Sequence, residues 1–295
     1  MQHRFGNLER LEKRLCLSVS LVDGLLAVTA TPGTDVVDIY TSDDNLCVRV
    51  GIDVSCFGRI DVSEVEVWTD GGGDFVNVGL DDTAPPISIE TGGGNDTVIG
   101  GGGEEAISGG PGNDLLLGGG GDDLISGAGG NDTVQGEEGN DTILGGQGND
   151  QLAAGDGDDL VLGGAGSDQI FGDPGADVLR GGSGNDTVQG DSGNDTASGG
   201  AGNDSLFGED GNDVAAGDAG DDNVSGGFGN DTLDGTVGRD RLFGDAGNDL
   251  LVTTEGVLPL LINGGRGQDT LSAGLTGIEF LFDSNVPVRR VERVQ

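Results

Sequence analysis

The chain has 295 residues, 53 acidic against 13 basic side chains, a net charge of −40, and glycine at 63 positions. This charge argues against nucleic acid or an anionic membrane as partner, since both repel carboxylates, and no apolar run reaches the ~20 residues that span a bilayer. With 4% aromatics and only seven prolines, neither a large ordinary core nor a collagen helix is available.

Residues 1–18 read as an N-terminal targeting-like segment. The apolar stretch from Leu15 is broken by Asp23, unlike a conventional signal peptide. An amphipathic segment without an export role is the alternative. Residues 19–90 alternate apolar and polar in runs such as LLAVTA, DVVDIY, LCVRV, IDVSCF and IDVSEVEVW, the period of half-buried strands. A type II′ turn at Gly51–Ile52 pairs Val50 with Asp53. Counting outward, it pairs Cys47 with Cys56 at a non-hydrogen-bonded position where side chains are close. That spacing permits a disulfide; two unpaired buried thiols are the other reading.

From Thr91 to Val252 the chain divides into 18 units of nine residues without an insertion or deletion, as in TGGGNDTVI (from Thr91), GGPGNDLLL (from Gly109) and GDAGNDLLV (from Gly244). The fourth position is always glycine, the sixth is aspartate in 17 units and Glu105 in the other, and the eighth is always apolar. A disordered acidic tract has no reason to keep phase over 18 units. Positions one to six predict a tight turn, where glycine permits positive φ and close backbone approach. Positions seven to nine predict a three-residue strand whose middle side chain faces a core, while Thr97, Gln151, Arg180 and Phe207 face outward. Two units make one coil, with a strand in each of two sheets. The array holds 32 acidic and 3 basic residues, a net of −29, so a bare stack repels itself and needs cations in its turns. GTDVVD (from Gly33) and GGDFVN (from Gly72) look like degenerate turns of the same repeat, and 19–90 is expected to form a β-rich cap.

The array resembles the G-G-x-G-x-D-x-U-x signature (U apolar) of the RTX, or hemolysin-type, calcium-binding nonapeptide repeats over 91–252, with a further copy, GGRGQDTLS, at Gly264–Ser272. The resemblance implies an all-β fold, a right-handed parallel β-roll of the serralysin type, with calcium between the turns of successive coils. Position-six carboxylates two units apart would share each ion with backbone carbonyls. One column is then Asp96, Asp114, Asp132, Asp150, Asp168, Asp186, Asp204, Asp222 and Asp240. The other is Glu105, Asp123, Asp141, Asp159, Asp177, Asp195, Asp213, Asp231 and Asp249, and Asp269 belongs to the further copy. Calcium suits such a set, because it takes six to eight hard oxygen ligands in flexible geometry. Nine turns per side leave at most about 16 ions. Glu105, one methylene longer than aspartate, is expected to distort its site. GTVGRDRLF, with Arg239 and Arg241 beside Asp240, is expected to bind weakly. Acids at position two (Glu137, Asp173, Asp191, Glu209, Asp218 and Asp245) are either outer ligands or solvated turn residues.

RLEKRLCLS, Arg10 to Ser18, resembles the Leu-Glu-Pro-Arg-x-Leu-Leu motif of bacterial surface proteins, with Lys13 in place of the proline. Residues 253–295 hold the last copy, the apolar run GLTGIEFLF and a basic tail, unlike the acidic and apolar ends usual in type I secretion signals. No enzyme is expected. G-D-S-G at Gly190–Gly193 is a by-product of the repeat, the only histidine is His3, and the H-E-x-x-H, G-x-S-x-G and Walker motifs are absent. The expected function is calcium binding coupled to folding in a secreted or cell-surface structural or adhesive protein, with an unidentified cell-surface or matrix ligand. A hemolysin-like toxin and a non-catalytic partner in a larger secreted assembly are the alternatives.

Overall fold

Each nonapeptide supplies one aliphatic side chain to an interior and reverses the chain, so successive units add strands to two opposite sheets in alternation. The computed structural model describes residues 18–30, 32–42, 45–51, 53–58, 62–81, 83–253, 261–273 and 289–290, and among them every regular element is a strand. Fifteen strands form one sheet and fourteen the other, and along the array each strand pairs in parallel with the one two elements away. The register is 18 residues: Ile107 lies beside Ile125 and Ile125 beside Ile143, while in the other sheet Leu116 lies beside Val134 and Val134 beside Leu152. The molecule is a parallel β-solenoid of the roll type.

The position-eight residues form the core. From Val98 to Leu251 none is more than 5% exposed, and identical depth in every coil lets aliphatic side chains stack in continuous rows. Ala197 pairs with Ala215 in adjacent coils of the fifteen-stranded sheet, where the interior is thinnest. Thr97, Gln151, Arg180 and Phe207 occupy the outer side, none of them buried.

The strands are longer than the three residues predicted. Most run for six, as in Leu115–Gly120 and Thr142–Gln147, through the first three positions of the next unit. The ladder continues because Gly119 pairs with Glu137 and Gly146 with Gly164. Glycines carry no side-chain alternation, so this half of the strand leaves no period in the sequence. Three-residue strands do occur at Thr97–Ile99, Gln169–Phe171, Thr187–Gln189 and Thr232–Asp234.

The N-terminal region caps the roll. Ser18–Val22 pairs antiparallel with Leu25–Thr29 at the end of one sheet. Val36–Ser42, Asn45–Val50 and Asp53–Gly58 form an antiparallel meander at the end of the other. Val50 faces Asp53, and Cys47 faces Cys56 and is bonded to it. Leu25–Thr29 and Val36–Ser42 also pair in parallel with Glu64–Trp68 and Phe75–Gly79, so the degenerate units are coils of the same solenoid. The targeting-like segment, apart from Ser18, and the run GLTGIEFLF lie outside the described residues. Among the described residues no helix is long and apolar enough to cross a membrane.

The fourth-position glycine is a steric requirement. Gly148 has φ +122°, and a methyl group there would lie 1.6 Å from the Gly130 carbonyl oxygen in the preceding coil, whereas one on Gly129 would meet nothing within 4 Å. Gly148→Ala is expected to destabilise the calcium-loaded roll by about 3 kcal/mol or more, and Gly129→Ala by less than about 0.5 kcal/mol. Equilibrium denaturation of the two variants checks this difference.

Candidate metal centre

The position-six residue closes each turn immediately before the chain enters a strand, which directs its side chain back into the turn. All nineteen predicted acids are buried there, none more than 7% exposed. They stack in two columns along opposite edges of the roll, and a hydrogen-bond ladder joins the members of each. In the first column one oxygen of each carboxylate accepts the backbone N–H of the acid one coil earlier, at 2.8–3.1 Å from Asp114 to Asp240. In the second column the same bond recurs at 2.6–3.1 Å from Asp123 to Asp269.

The other oxygen has no partner. In eighteen of the nineteen acids, all but Asp240, a carboxylate oxygen is buried without a hydrogen bond. A buried charge left in this state is costly. The space beside it is defined by the first-position residue, which is glycine in every array unit except those beginning at Thr91 and Ala154. A carbon added to Gly145 would lie 2.6 Å from both Asp150 Oδ2 and the Gly163 carbonyl oxygen. One added to Gly172, in the other column, would lie 2.6 Å from Asp177 Oδ2 and 2.7 Å from the Gly190 carbonyl oxygen. A carboxylate oxygen without a hydrogen-bond partner and a main-chain carbonyl of the next coil therefore face one small space. Among the described residues no three Asp, Glu, His or Cys side chains converge on one point. A cation held here must draw on backbone carbonyls, and mixed carboxylate and carbonyl oxygen is the donor set that suits calcium.

Burial raises the pKa of seventeen of these carboxyls, and in several of them repulsion from neighbours in the column adds to it. Desolvation brings Asp123 to about 8, against the pull of the Glu105 amide, with Glu105 and Asp141 adding repulsion. Burial takes Asp177, Asp222 and Asp249 to about 7 in the same way. Glu105 is also pushed to about 7 by burial. Its extra methylene lets Oε2 reach back to the Gly101 amide at 2.9 Å, while Oε1 stays unpartnered.

Asp240 is the most exposed of the array's position-six acids, at 4%. Among the described residues neither Arg239 nor Arg241 forms an ion pair with it. The position-two acids stand apart from the columns. Glu137, Asp173, Asp191, Glu209, Asp218 and Asp245 all take positive φ and none is buried. Asp218 and Asp191 accept hydrogen bonds from Ser198 and Gln189 at the surface.

One further acid joins the first column. Asp74 is 2% exposed, accepts the Asp35 amide on Oδ1 at 2.8 Å, donates its own amide to Asp96 Oδ1 at 2.7 Å, and keeps Oδ2 unpartnered. Its signal was present in Gly73-Asp74-Phe75-Val76, the local pattern of positions five to eight. The step to Asp96 is 22 residues, however, so a search at a period of 18 passes over it.

A family model described as the RTX calcium-binding nonapeptide repeat matches residues 88–116, 117–152, 144–179, 153–188, 180–215, 189–224 and 216–251. These matches together cover more than half of the chain, which belongs to that family. Calcium binding in the repeat roll follows from this membership and agrees with the oxygen sites described above. A search of curated proteins finds no match.

Asp150→Ala, in the middle of a column, is expected to raise the calcium concentration at half-folding about tenfold, and Asp240→Ala less than about twofold. Calcium titrations of the two variants followed by circular dichroism compare them, and equal shifts would contradict the ranking. The pKa shifts also set a pH dependence. A carboxyl whose pKa is raised on folding holds its proton better in the folded state, so metal-free stability falls as pH rises from 3.8 toward 6–8. Calcium needs the ionised groups, and its affinity rises through the same window. In chelator the β-signal is therefore expected to persist near about pH 4.5 and weaken by about pH 8, where added calcium restores it.

Proposed function

We propose that this RTX-family protein acts outside the cell or at its surface as a calcium-stiffened structural or adhesive element without a catalytic centre. The carrying observation is the stack of buried carboxylate oxygens without a hydrogen-bond partner. The position-six acids supply the side-chain ligands and the first-position carbonyls the main-chain ones. Calcium bound there supplies the positive charge that lets the turns stack. At most about 16 ions occupy the main array. Their charge of about +32 nearly cancels the array's −29.

Low-affinity sites suit the extracellular setting. Modules of this kind bind with Kd of about 10⁻⁴–10⁻³ M, so they fill in millimolar calcium and stay empty in the cytosol, where a loose chain is easier to export. The adhesive reading is supported by where charge is missing. From Thr97 to Asn263 the seventh- and ninth-position residues of the fourteen-stranded sheet include no acid, the exposed strand acids Glu137, Glu138, Asp156, Glu209, Asp210 and Asp245 lying at the second and third positions. The seventh- and ninth-position residues of the fifteen-stranded sheet, from Ala106 to Ser272, include only Asp234. In a chain of net charge −40, two faces whose seventh and ninth positions carry only Arg180, Asp234 and Arg241 as charged residues offer surfaces to a ligand of low charge. The toxin alternative needs membrane disruption, and the assembly alternative needs a partner that changes the particle size.

Counting bound ions by equilibrium dialysis at millimolar calcium, with a red-cell lysis assay on the same sample, tests this function. About 16 ions or slightly fewer and no lysis are expected. Lysis would favour the toxin, and a count of only one or two ions would remove the structural role of the columns.

A further inference from the structure

The first column is not uniform along its length. From Gly109 to Gly235 its first position is glycine in every coil, but the two coils next to the cap carry Thr69 and Thr91 there. Both side chains are fully buried. The Thr91 hydroxyl donates to the Gly109 carbonyl oxygen at 2.8 Å, and the Thr69 hydroxyl donates to the Thr91 carbonyl oxygen at 2.9 Å. These acceptors are first-position carbonyls of the next coil. In the glycine coils, the same carbonyl faces the open space beside the orphaned carboxylate, as the Gly163 oxygen does beside Gly145.

We infer that Thr69 and Thr91 close the first two steps of this column with hydroxyl protons in the place where the glycine coils take calcium. The coils next to the cap therefore order without metal and form the base on which the calcium-dependent coils stack. Threonine does this in two ways. Its Cβ fills the space, since even a single carbon on Gly109 would lie 2.3 Å from Asp114 Oδ2. Its hydroxyl then satisfies the carbonyl that a cation would otherwise need as ligand. Asp74 and Asp96 each keep one unpartnered oxygen, so threonine removes the carbonyl ligand and the room, and the Thr69 hydroxyl also lies against the Asp74 carboxyl. At the far end of the column Thr253 also stands at position one, but its buried hydroxyl has no partner. The closure is thus a feature of the cap side. A ready-made base matters because the first coil of a stack has no neighbour to bond to, the same nucleation cost that makes repeat arrays cooperative.

The inference rests on calcium occupying the glycine coils. Equilibrium dialysis and hydrogen exchange of the full chain test it. In chelator, the wild-type amides of residues 64–99 are expected to exchange about tenfold more slowly than those of 127–249. Thr91→Gly should bind one ion more than wild type, and lose that protection until calcium is added. Thr91→Val fills the space without a proton to donate, and should lose protection without gaining an ion. Thr91→Ser should keep wild-type protection. Should Thr91→Gly fail to fold, the serine and valine variants decide by their protection in chelator. An unchanged ion count in a folded Thr91→Gly, equal protection in the serine and valine variants, or uniform exchange across the wild-type chain would overturn the inference. A wild-type protein that binds no calcium would instead overturn the functional reading beneath it.

Discussion

Every ninth residue of the array places a carboxylate where water does not reach. One of its oxygens is answered by the amide of the coil before it, and the other is left bare. The remaining regularities follow from this arrangement. The same amide hydrogen bond recurs at a step of 18 residues through the array, and at steps of 22 from Asp74 to Asp96 and 20 from Asp249 to Asp269. The bare oxygen has room beside it where the first position is glycine, in every array unit but those of Thr91 and Ala154. The fourth-position glycine lets one turn lie on the carbonyl of the coil before it. The columns are consistent in structure but frustrated in charge, since each carboxylate has like charges above and below it. Protons relieve that frustration at low pH and cations at neutral pH.

Charge is sorted across the molecule in a way that serves this arrangement. The interior is aliphatic, the turns and the second halves of the strands hold the acids, and the seventh and ninth positions of the outer faces are almost free of charge. Solubility therefore comes from those acids rather than from the seventh and ninth positions. The cap covers the N-terminal side with antiparallel strands, which break the parallel pattern that another roll could extend. Its disulfide between Cys47 and Cys56 ties together the two outermost strands of one sheet. Export to an oxidising compartment is compatible with that bond.

Much of this was legible in the sequence because the repeat is in phase with the physics. The eighth position alternates with its neighbours and so announces the core, and the sixth position announces the columns. The hairpin register that sets Cys47 opposite Cys56 follows from counting outward from Gly51, although the count alone left the bond undecided. Two features left no trace of that kind. The second half of each strand runs through glycine, which has no side chain to alternate, so a six-residue ladder reads as a turn. Asp74 has the right local pattern, but residues 80–86 lengthen the step to Asp96 and hide it from a fixed period. The part played by Thr69 and Thr91 was also invisible, because a threonine in a glycine position looks like sequence drift until its hydroxyl is seen on the next coil's carbonyl.

The central claim is that cations between stacked carboxylates hold the coils together at neutral pH. Small-angle X-ray scattering of the full chain at pH 7.5, stripped of metal and then loaded with calcium, tests it most directly. An expanded particle that collapses to a short rod on adding calcium is the predicted result. Superimposable scattering curves, with the rod already present in stripped buffer, would contradict it.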